Sequence, residues 1–338
     1  MTPLGTVESV AILRARTGLG DLLCGVPGLR ALRARLPHAH ITLITYAEMA
    51  PVVERMRTYV DELLPFPGWP GIPERPVDEQ ALPAYLADAR ARRFDLALQA
   101  YGANPAANEA TAALGARRTG GFFITGTIEP DLAVHLPYPE HRHEIDRHLD
   151  LMAHLGAPPA GRALEFPLTP EDEASAAAVK PDGPYALVHP GATSPSRRWP
   201  AERFARVADE LARRGLQVGI TGVPSEAELV AEVRGHMRAP SLDLCGRTSL
   251  GGFAALLRDA ELIVSNDTGA AHLAAAVDTP SVTLFLAGDP VRWAHPRPHA
   301  VVRVQVECNP CRHLVCPIDH RCAQRLEVAH VLAAVDAL

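Results

Sequence analysis

The chain has 338 residues, 47% of them hydrophobic and 21% charged, with a formal net charge of −6. That length accommodates two domains of ordinary size, and the negative balance argues against general nucleic-acid binding. No apolar run reaches the roughly 18 residues of a membrane-spanning helix, and no basic segment leads into an apolar core at the N-terminus. Neither a spanning helix nor a signal peptide is therefore expected, and the six cysteines are expected to be mostly reduced, in a cytoplasmic protein.

Val10 to Arg14 reads as a compact apolar strand, followed by Thr17-Gly18-Leu19-Gly20-Asp21. Leu22, Val26, Leu29, Leu32 and Leu36 then recur at helical spacing. Pro27 lies inside that pattern, so the helix either kinks or begins there. Ile41 to Thr45 is the next strand. A helix from Ala47, a short strand near Leu63, a helix from Leu82 to Arg92 and a strand from Phe94 to Gln99 follow. Glu144 to Leu155 is an amphipathic helix. Proline and glycine then mark a linker over 166–184, broken by a short helix that Thr169, Pro170 and Glu171 would start.

The second half repeats the style. Tyr185 to His189 is a strand, Ala201 to Arg214 a helix, Leu216 to Thr221 a strand, and Ser225 to Met237 and Leu250 to Arg258 are helices. Glu261 to Val264 is a short buried strand running into Ser265-Asn266-Asp267-Thr268-Gly269 and an Ala-rich helix from Gly269 to Val277 that carries His272. A strand from Ser281 to Phe285 and a closing helix from Leu326 to Leu338 complete the pattern. Strands alternating with helices predict parallel βαβ units in two α/β domains, residues 1–165 and 185–325, with ligands at the carboxyl ends of the strands and a cleft between facing strand ends.

The strand–turn–helix junction at Asp267-Thr268-Gly269 aims backbone N–H groups and the positive end of a helix dipole at one spot, which suits a nucleotide diphosphate; an ordinary capped helix would look the same. Gly18-Leu19-Gly20-Asp21 lacks the third glycine of a dinucleotide fingerprint, since Leu23 stands there, so no nicotinamide cofactor is expected. Asp21 is left as either a helix cap or a general base. Arg197 and Arg198, after His189-Pro190-Gly191, offer guanidinium forks to phosphate oxygens, or simply a solvated pair. Glu226 is placed to accept bonds from sugar hydroxyls, or to sit as a first-turn acid.

Metal signals are weak. His143-Glu144 and His148 do not have zincin spacing, and no Asp-x-Asp bridges a metal to a diphosphate. Cys308, Cys311, Cys316 and Cys322, with His313 and His320 interleaved, are compatible with a structural zinc site, but a metal-free cluster is favoured. Cys24 and Cys245 read as isolated buried thiols. Arg30, Arg33, Arg35, Arg90, Arg92 and Arg93 are either solvated helix faces or a peripheral contact with the phosphates of a membrane-borne acceptor.

Thr17-Gly18-Leu19-Gly20-Asp21-Leu22 with Pro27 and Leu29, His189-Pro190-Gly191-Ala192, Arg198-Trp199-Pro200, Gly222-Val223-Pro224-Ser225-Glu226 and Ser265-Asn266-Asp267-Thr268-Gly269 with His272 occur in order. Together they resemble glycosyltransferase family 9, the ADP-heptose:lipopolysaccharide heptosyltransferases; the cysteine-rich tail is also similar to one found in many members. The resemblance implies a GT-B fold of two Rossmann-like αβα domains, with the donor held by the C-terminal domain, the acceptor by the N-terminal one, and the helix over 326–338 crossing back. It implies inverting, metal-independent transfer without a cofactor. A heptose would move from ADP-heptose to a hydroxyl of a lipopolysaccharide core or similar saccharide or glycolipid. By the same resemblance Asp21, in the acceptor-side loop with Gly18 and Gly20, is the base. Asp267, Thr268, Gly269 and His272 bind the donor diphosphate and sugar with Arg197, Arg198 and Gly191 beside them, and Glu226 holds donor hydroxyls. Arg197 stands where the family often has lysine. Transferases using other nucleotide sugars, a non-catalytic sugar-nucleotide binder and a sugar-nucleotide epimerase of the same architecture are the alternatives.

Overall fold

The computed structural model describes Leu4 and residues 6–338, which fall into two compact units, to Leu164 and from Glu165. In the first, β1 (Ser9–Leu13), α1 (Leu19–Leu23), α2 (Val26–Arg35), β2 (His40–Thr45), α3 (Ala50–Val53) and β3 (Glu62–Pro65) form one half. The other half is α4 (Leu82–Ala91), β4 (Leu96–Gln99), α5 (Pro105–Ala113), β5 (Arg118–Phe123), β6 (His135–Pro137) and α6 (Glu144–His154). The strands pair in parallel in the order β3-β2-β1-β4-β5-β6. The chain therefore reverses its direction of travel across the sheet between β1 and β4, opening a crevice outside their carboxyl ends. Pro27 occupies the first turn of α2, and the chain breaks at Cys24-Gly25 between α1 and α2, so Pro27 starts a helix rather than kinking one.

The second unit begins with α7 (Pro170–Ala177), then β7 (Tyr185–His189), α8 (Ala201–Arg213), β8 (Gln217–Ile220), α9 (Ala227–His236) and β9 (Leu242–Asp243). It continues through α10 (Leu250–Arg258), β10 (Leu262–Asn266), α11 (Gly269–Ala276), β11 (Ser281–Leu284), α12 (Pro290–Trp293), β12 (His299–Val302), α13 (Arg321–Arg325) and α14 (Val328–Asp336). Its sheet runs β12-β11-β10-β7-β8-β9, all parallel, which is the same order as the first sheet. The reversal here lies between β7 and β10. Both sheets are buried on both faces, which is why their strands read as apolar runs rather than alternations.

The segment expected to be a linker is folded. Thr169 and Asp172 close a reciprocal capping box at the start of α7, and α7 packs on α10, where Gly252 leaves room for Ser175. The closing helix α14, for which the resemblance implied a crossing to the first domain, packs on α8, β11 and β12 of its own unit. Trp199 joins these layers: its ring meets Phe204 edge-on at 5.2 Å, and its Nε1 donates to Leu326 O at 3.0 Å.

Phe204 is fully buried on the apolar face of α8. Phe204→Ala is expected to cost about 3–5 kcal/mol, read as a lower urea midpoint for the second unit with the first unit's transition unmoved.

Candidate functional site

In the first unit the loop after β1 carries Asp21. Gly18 caps α1 without any side-chain bond, and Asp21 lies inside the helix, so its carboxylate is not a cap. A Cβ on Gly18 would overlap Asp21 Oδ2, so this glycine keeps the carboxylate in place. Gly20 is buried in the same turn. Two guanidinium groups bracket the carboxylate. Arg14 Nη2 is 3.7 Å and Arg16 Nε 3.8 Å from Asp21 Oδ1, while Arg14 Nη2 also donates to the Asp21 carbonyl at 2.8 Å. Arg14 follows the last residue of β1, is 3% exposed, and donates to Ala100 O at 2.8 Å after β4. It spans the switch point. Glu144 Oε1 accepts from Arg14 at 2.9 Å, and Glu144 Oε2 accepts from Arg147 at 2.7 Å, so this one buried carboxylate is shared between two buried cations. Arg16 lies 3.8 Å over the Tyr101 ring and bonds Glu74 at 2.6 Å.

His143 caps α6, its Nδ1 accepting from Ile145 N at 3.2 Å. Burial first, and then the Arg14 cation, push the His148 imidazole down to about 4, against the weaker pull of Glu144 at 3.7 Å.

In the second unit Asn266, the last residue of β10, is fully buried. Its Nδ2 donates to Pro190 O at 2.7 Å, and its Oδ1 accepts from Trp199 N at 3.2 Å. The amide thus ties the ends of β7 and β10 and the arginine loop to one point. Thr268 is the cap of α11, its Oγ1 accepting from Ala270 N at 3.2 Å. Asp267 is 3% exposed, with Arg197 Nη1 3.5 Å from its Oδ2, and a side chain at Gly288 would overlap that carboxylate. Arg197 is 40% exposed. Arg198 donates from Nε to Ala192 O at 2.8 Å, so its guanidinium serves the loop as well as any ligand. The Glu226 carboxylate lies against Gly191, where any Cβ would overlap it; its Oε2 accepts from Val223 N at 3.0 Å and stands 3.9 Å from His189 Nε2. Burial lowers the His189 imidazole below its ordinary value, with Glu226 opposing.

Asp267, Thr268, Gly269, His272, Arg197, Arg198, Gly191 and Glu226 therefore gather around the carboxyl ends of β7, β8 and β10, and Asp21 with Gly18 and Gly20 around those of β1 and β4. Arg14, Arg16, Tyr101, Glu74 and Glu144 join Asp21 without having been singled out; an arginine closing an otherwise apolar buried strand was the available signal. His295 and Trp293 beside His272 were likewise missed.

Cys245, Cys308, Cys311, Cys316 and Cys322 are free thiols; Cys24 is buried as expected, whereas Cys245 is only half-buried. Among the described residues no group of three or more His, Cys, Asp or Glu side chains is placed to hold a metal ion; Cys308, Cys311 and Cys316 lie in the loop that leads to Cys322 on α13, whose thiol is raised first by burial and also by those three neighbours. That loop buttresses the arginine turn, with Ser196 N donating to Leu314 O at 3.0 Å and His320 Nε2 2.9 Å from Ser196 O. Among the described residues no helix is long and apolar enough to cross a membrane. Several of the arginines proposed for acceptor phosphates are engaged within their own unit: Arg30 with Ala163 O, Arg33 with Ala39 O and Asp61, and Arg92 with Glu62 and Asp88.

The family model "Glycosyltransferase family 9 (heptosyltransferase)" matches residues 90–321, more than half of the chain. The chain belongs to glycosyltransferase family 9. It is 28% identical to lipopolysaccharide heptosyltransferase 2 of Salmonella typhimurium over 284 residues, 79% of this chain and 80% of that protein. It is 38% identical to lipopolysaccharide heptosyltransferase 3 of Escherichia coli K12 over 112 residues, only 32% of this chain and 33% of that protein; against lipopolysaccharide heptosyltransferase 1 of Pseudomonas aeruginosa it is 29% identical and spans 49% of the relative. Among solved structures, a family 9 glycosyl transferase from Veillonella parvula superposes with a TM-score of 0.83 at 20% identity, covering 98% of this chain and 96% of that one. The E. coli ADP-heptose lipopolysaccharide heptosyltransferase II gives 0.72 at 20% identity, over 97% and 98%. These likenesses establish the GT-B fold. The family model begins beyond the Asp21 loop, whereas the donor-type junction lies inside it.

Two outcomes are expected of this family 9 chain. Folding depresses the His148 value below that of the unfolded chain, so the unfolded state binds the extra proton and stability is lost as pH falls from about 6.5 through about 4. The urea midpoint of His148→Gln should fall less steeply than wild type across that window; parallel curves would refute the assignment. Gly191→Ala should displace the Glu226 carboxylate and weaken sugar-nucleotide binding by about tenfold or more, an affinity loss of about 1.4 kcal/mol, with little change in melting temperature; calorimetric titration checks it.

Proposed function

We propose that this chain is an inverting, metal-independent transferase that moves a heptose from ADP-heptose to a hydroxyl of a saccharide acceptor of the lipopolysaccharide-core type, working at the cytoplasmic face of the membrane. The observation that carries the reading is the donor corner: a buried carboxylate, Asp267, held beside Arg197 at the Thr268-capped start of α11, with Glu226 seated against Gly191. Such a corner offers backbone N–H groups and a bidentate cation to a diphosphate, and carboxylates to sugar hydroxyls. Support for the donor comes from relatives named lipopolysaccharide heptosyltransferases. It comes also from neighbouring E. coli heptosyltransferase structures with ADP and with ADP-2-deoxy-2-fluoro heptose, whose TM-scores are 0.67 and 0.63.

The reaction is a single displacement at the anomeric carbon. Asp21 accepts the proton of the attacking hydroxyl as the new glycosidic bond forms and the bond to the nucleoside diphosphate breaks. Arg14 and Arg16 keep the Asp21 carboxylate oriented, and the Arg14 bond to the Asp21 carbonyl fixes the backbone beneath it. Negative charge growing on the leaving diphosphate is met by Arg197 and by the amides of Thr268 and Gly269, since Ala270 N–H is already taken by the helix cap. Preformed donors of this kind need no reorganisation during the step, so protein groups alone suffice to stabilise the leaving group.

The test has two parts. Asp21→Asn keeps the shape and removes the base, so kcat should fall by about 10²–10³ while ADP still binds; near-normal turnover would refute the role. In a thermal-shift panel with ADP, UDP, GDP, dTDP and ADP-heptose, each with and without EDTA, ADP and ADP-heptose should stabilise selectively. At about 100 times the dissociation constant that gain is about 2.7 kcal/mol. Preference for another nucleotide would overturn the heptose donor, and loss of the shift or of turnover with EDTA would overturn metal independence.

A further inference from the structure

His272 lies one turn into α11, buried behind the Thr268 cap. Its Nδ1 is 2.8 Å from His295 Nε2, with the rings perpendicular and their centroids 4.9 Å apart. Trp293 meets the His272 ring edge-on at 5.6 Å and holds it from the side. A third imidazole, His299, stands 5.9 Å from His295 and is itself anchored, Nδ1 to Ser281 Oγ at 3.0 Å. Asp267, His272, Trp293, His295 and His299 line one pocket.

Two imidazole nitrogens 2.8 Å apart need one proton between them. If His272 Nδ1 carries it, a neutral His272 has a bare Nε2, which can only accept. If His295 Nε2 carries it, the His272 proton is forced onto its own Nε2, which then donates. Adding one further proton to the pair makes both His272 nitrogens donors and the pair cationic; adding two would place like charges in contact, which the buried setting forbids. The pair therefore behaves as a unit that holds at most one excess proton.

The surrounding charges are close to balance. Asp267, at the end of β10, favours a cation, and Arg197, 3.5 Å from that carboxylate, offsets it. On α12 the Arg292 guanidinium lies over Trp293 at 4.6 Å and disfavours a cation. On β12, His299 is held below its ordinary value by burial against the pull of Asp278, and so adds no charge near neutrality. An incoming diphosphate brings at least two negative charges to this corner and tips the balance toward protonation.

Resting on the donor-site reading above, we infer that His295 is a positioning residue for the transfer: it places the proton on His272 Nε2 and lets the His272–His295 pair take up one proton as the nucleotide diphosphate binds. The site then gains a cation only when the donor is present, and returns that proton when the product nucleotide leaves. Ligand-free protein is spared a permanent buried charge.

The experiment is calorimetric titration of ADP, in EDTA, into wild type and His295→Gln between about pH 5.5 and 8, each in two buffers of different protonation enthalpy. Glutamine can still hydrogen-bond His272 but cannot titrate, and the titration of ADP itself is common to both proteins. Wild type should take up a fraction of a proton on binding, and its affinity should rise toward acid about three- to tenfold more than that of the variant. Parallel pH profiles with the same buffer-dependent enthalpy in both proteins would overturn the inference while leaving the donor site standing. Wild type that fails to bind ADP at any pH would instead overturn the donor-site reading. A measurement independent of any variant is the ¹⁵N spectrum of the histidines: His272 should be protonated at Nε2 in the free protein and at both nitrogens with ADP bound. A His272 that carries its proton on Nδ1 alone would overturn the inference by itself.

Discussion

The carboxamide of Asn266 is the interaction on which the second unit's site depends. It is buried at the end of the strand where the sheet changes direction, and its two ends do different work: the nitrogen donates to the carbonyl of Pro190, the oxygen accepts from the N–H of Trp199. An aspartate there could not donate, and a leucine could do neither, so the two ends of the β7–α8 loop and the β10–α11 turn would lose their common anchor and leave buried backbone groups unpaired. Because the anchor is at the switch point, the elements it fixes are those that carry Arg197, Gly191, Thr268 and His272. Trp199 carries the constraint outward, since its indole bonds Leu326 O at the start of the closing segment. The cysteine-rich loop adds a second brace through Ser196.

The two units solve the same topological problem with opposite chemistry. Both use the same strand order, so both open a crevice beside the strand that starts the sheet. In the first unit that crevice is filled with charge: Arg14, Arg16, Glu144 and Arg147 form a chain of paired ions around Asp21. A buried ion chain of this kind is costly to assemble and weak as a source of stability, but it holds a carboxylate in one geometry while leaving it partly exposed. In the second unit the crevice is built from neutral groups, an amide and a capped helix start, with Arg197 and Asp267 as the charged pair at the mouth. One crevice suits a proton acceptor, the other an anionic leaving group.

Much of the fold was legible in the amino-acid order because both sheets are covered on both faces. Their strands had to be apolar runs, and the helices between them had to repeat at helical spacing; β1, β2, β4, β7, α8, α10 and α11 were all read to within about two residues on that basis. The elements that escaped were those whose pattern is diluted. β5 contains Gly120 and Gly121, where side chains would overlap Val134 and Gln99, so its glycines are there for close packing and weaken the strand signal. β6, β9 and β12 are short edge or near-edge strands. The segment read as a linker was recognised correctly as starting a helix at Thr169, but its packing on α10 depends on Gly252 and Ser175, residues 77 positions apart in the chain.

By itself the sequence determined the fold class and the doubled βαβ organisation, and it marked the two short stretches for which ligand contacts are proposed, Gly18 to Asp21 and Asp267 to His272. These are local properties: apolar periodicity, a capping residue, and glycine where a neighbour needs the space. Which residues surround those stretches was decided only in three dimensions. Arg14 is seven positions from Asp21 but bonds Glu144, 130 positions away. His272 meets His295 across 23 positions. A parallel sheet brings together the ends of strands separated by whole helices, and the length of those connections leaves no trace of the partner in the local pattern. Side-chain identity marked where the chemistry could be, and tertiary closure selected the charges and protons that act on it.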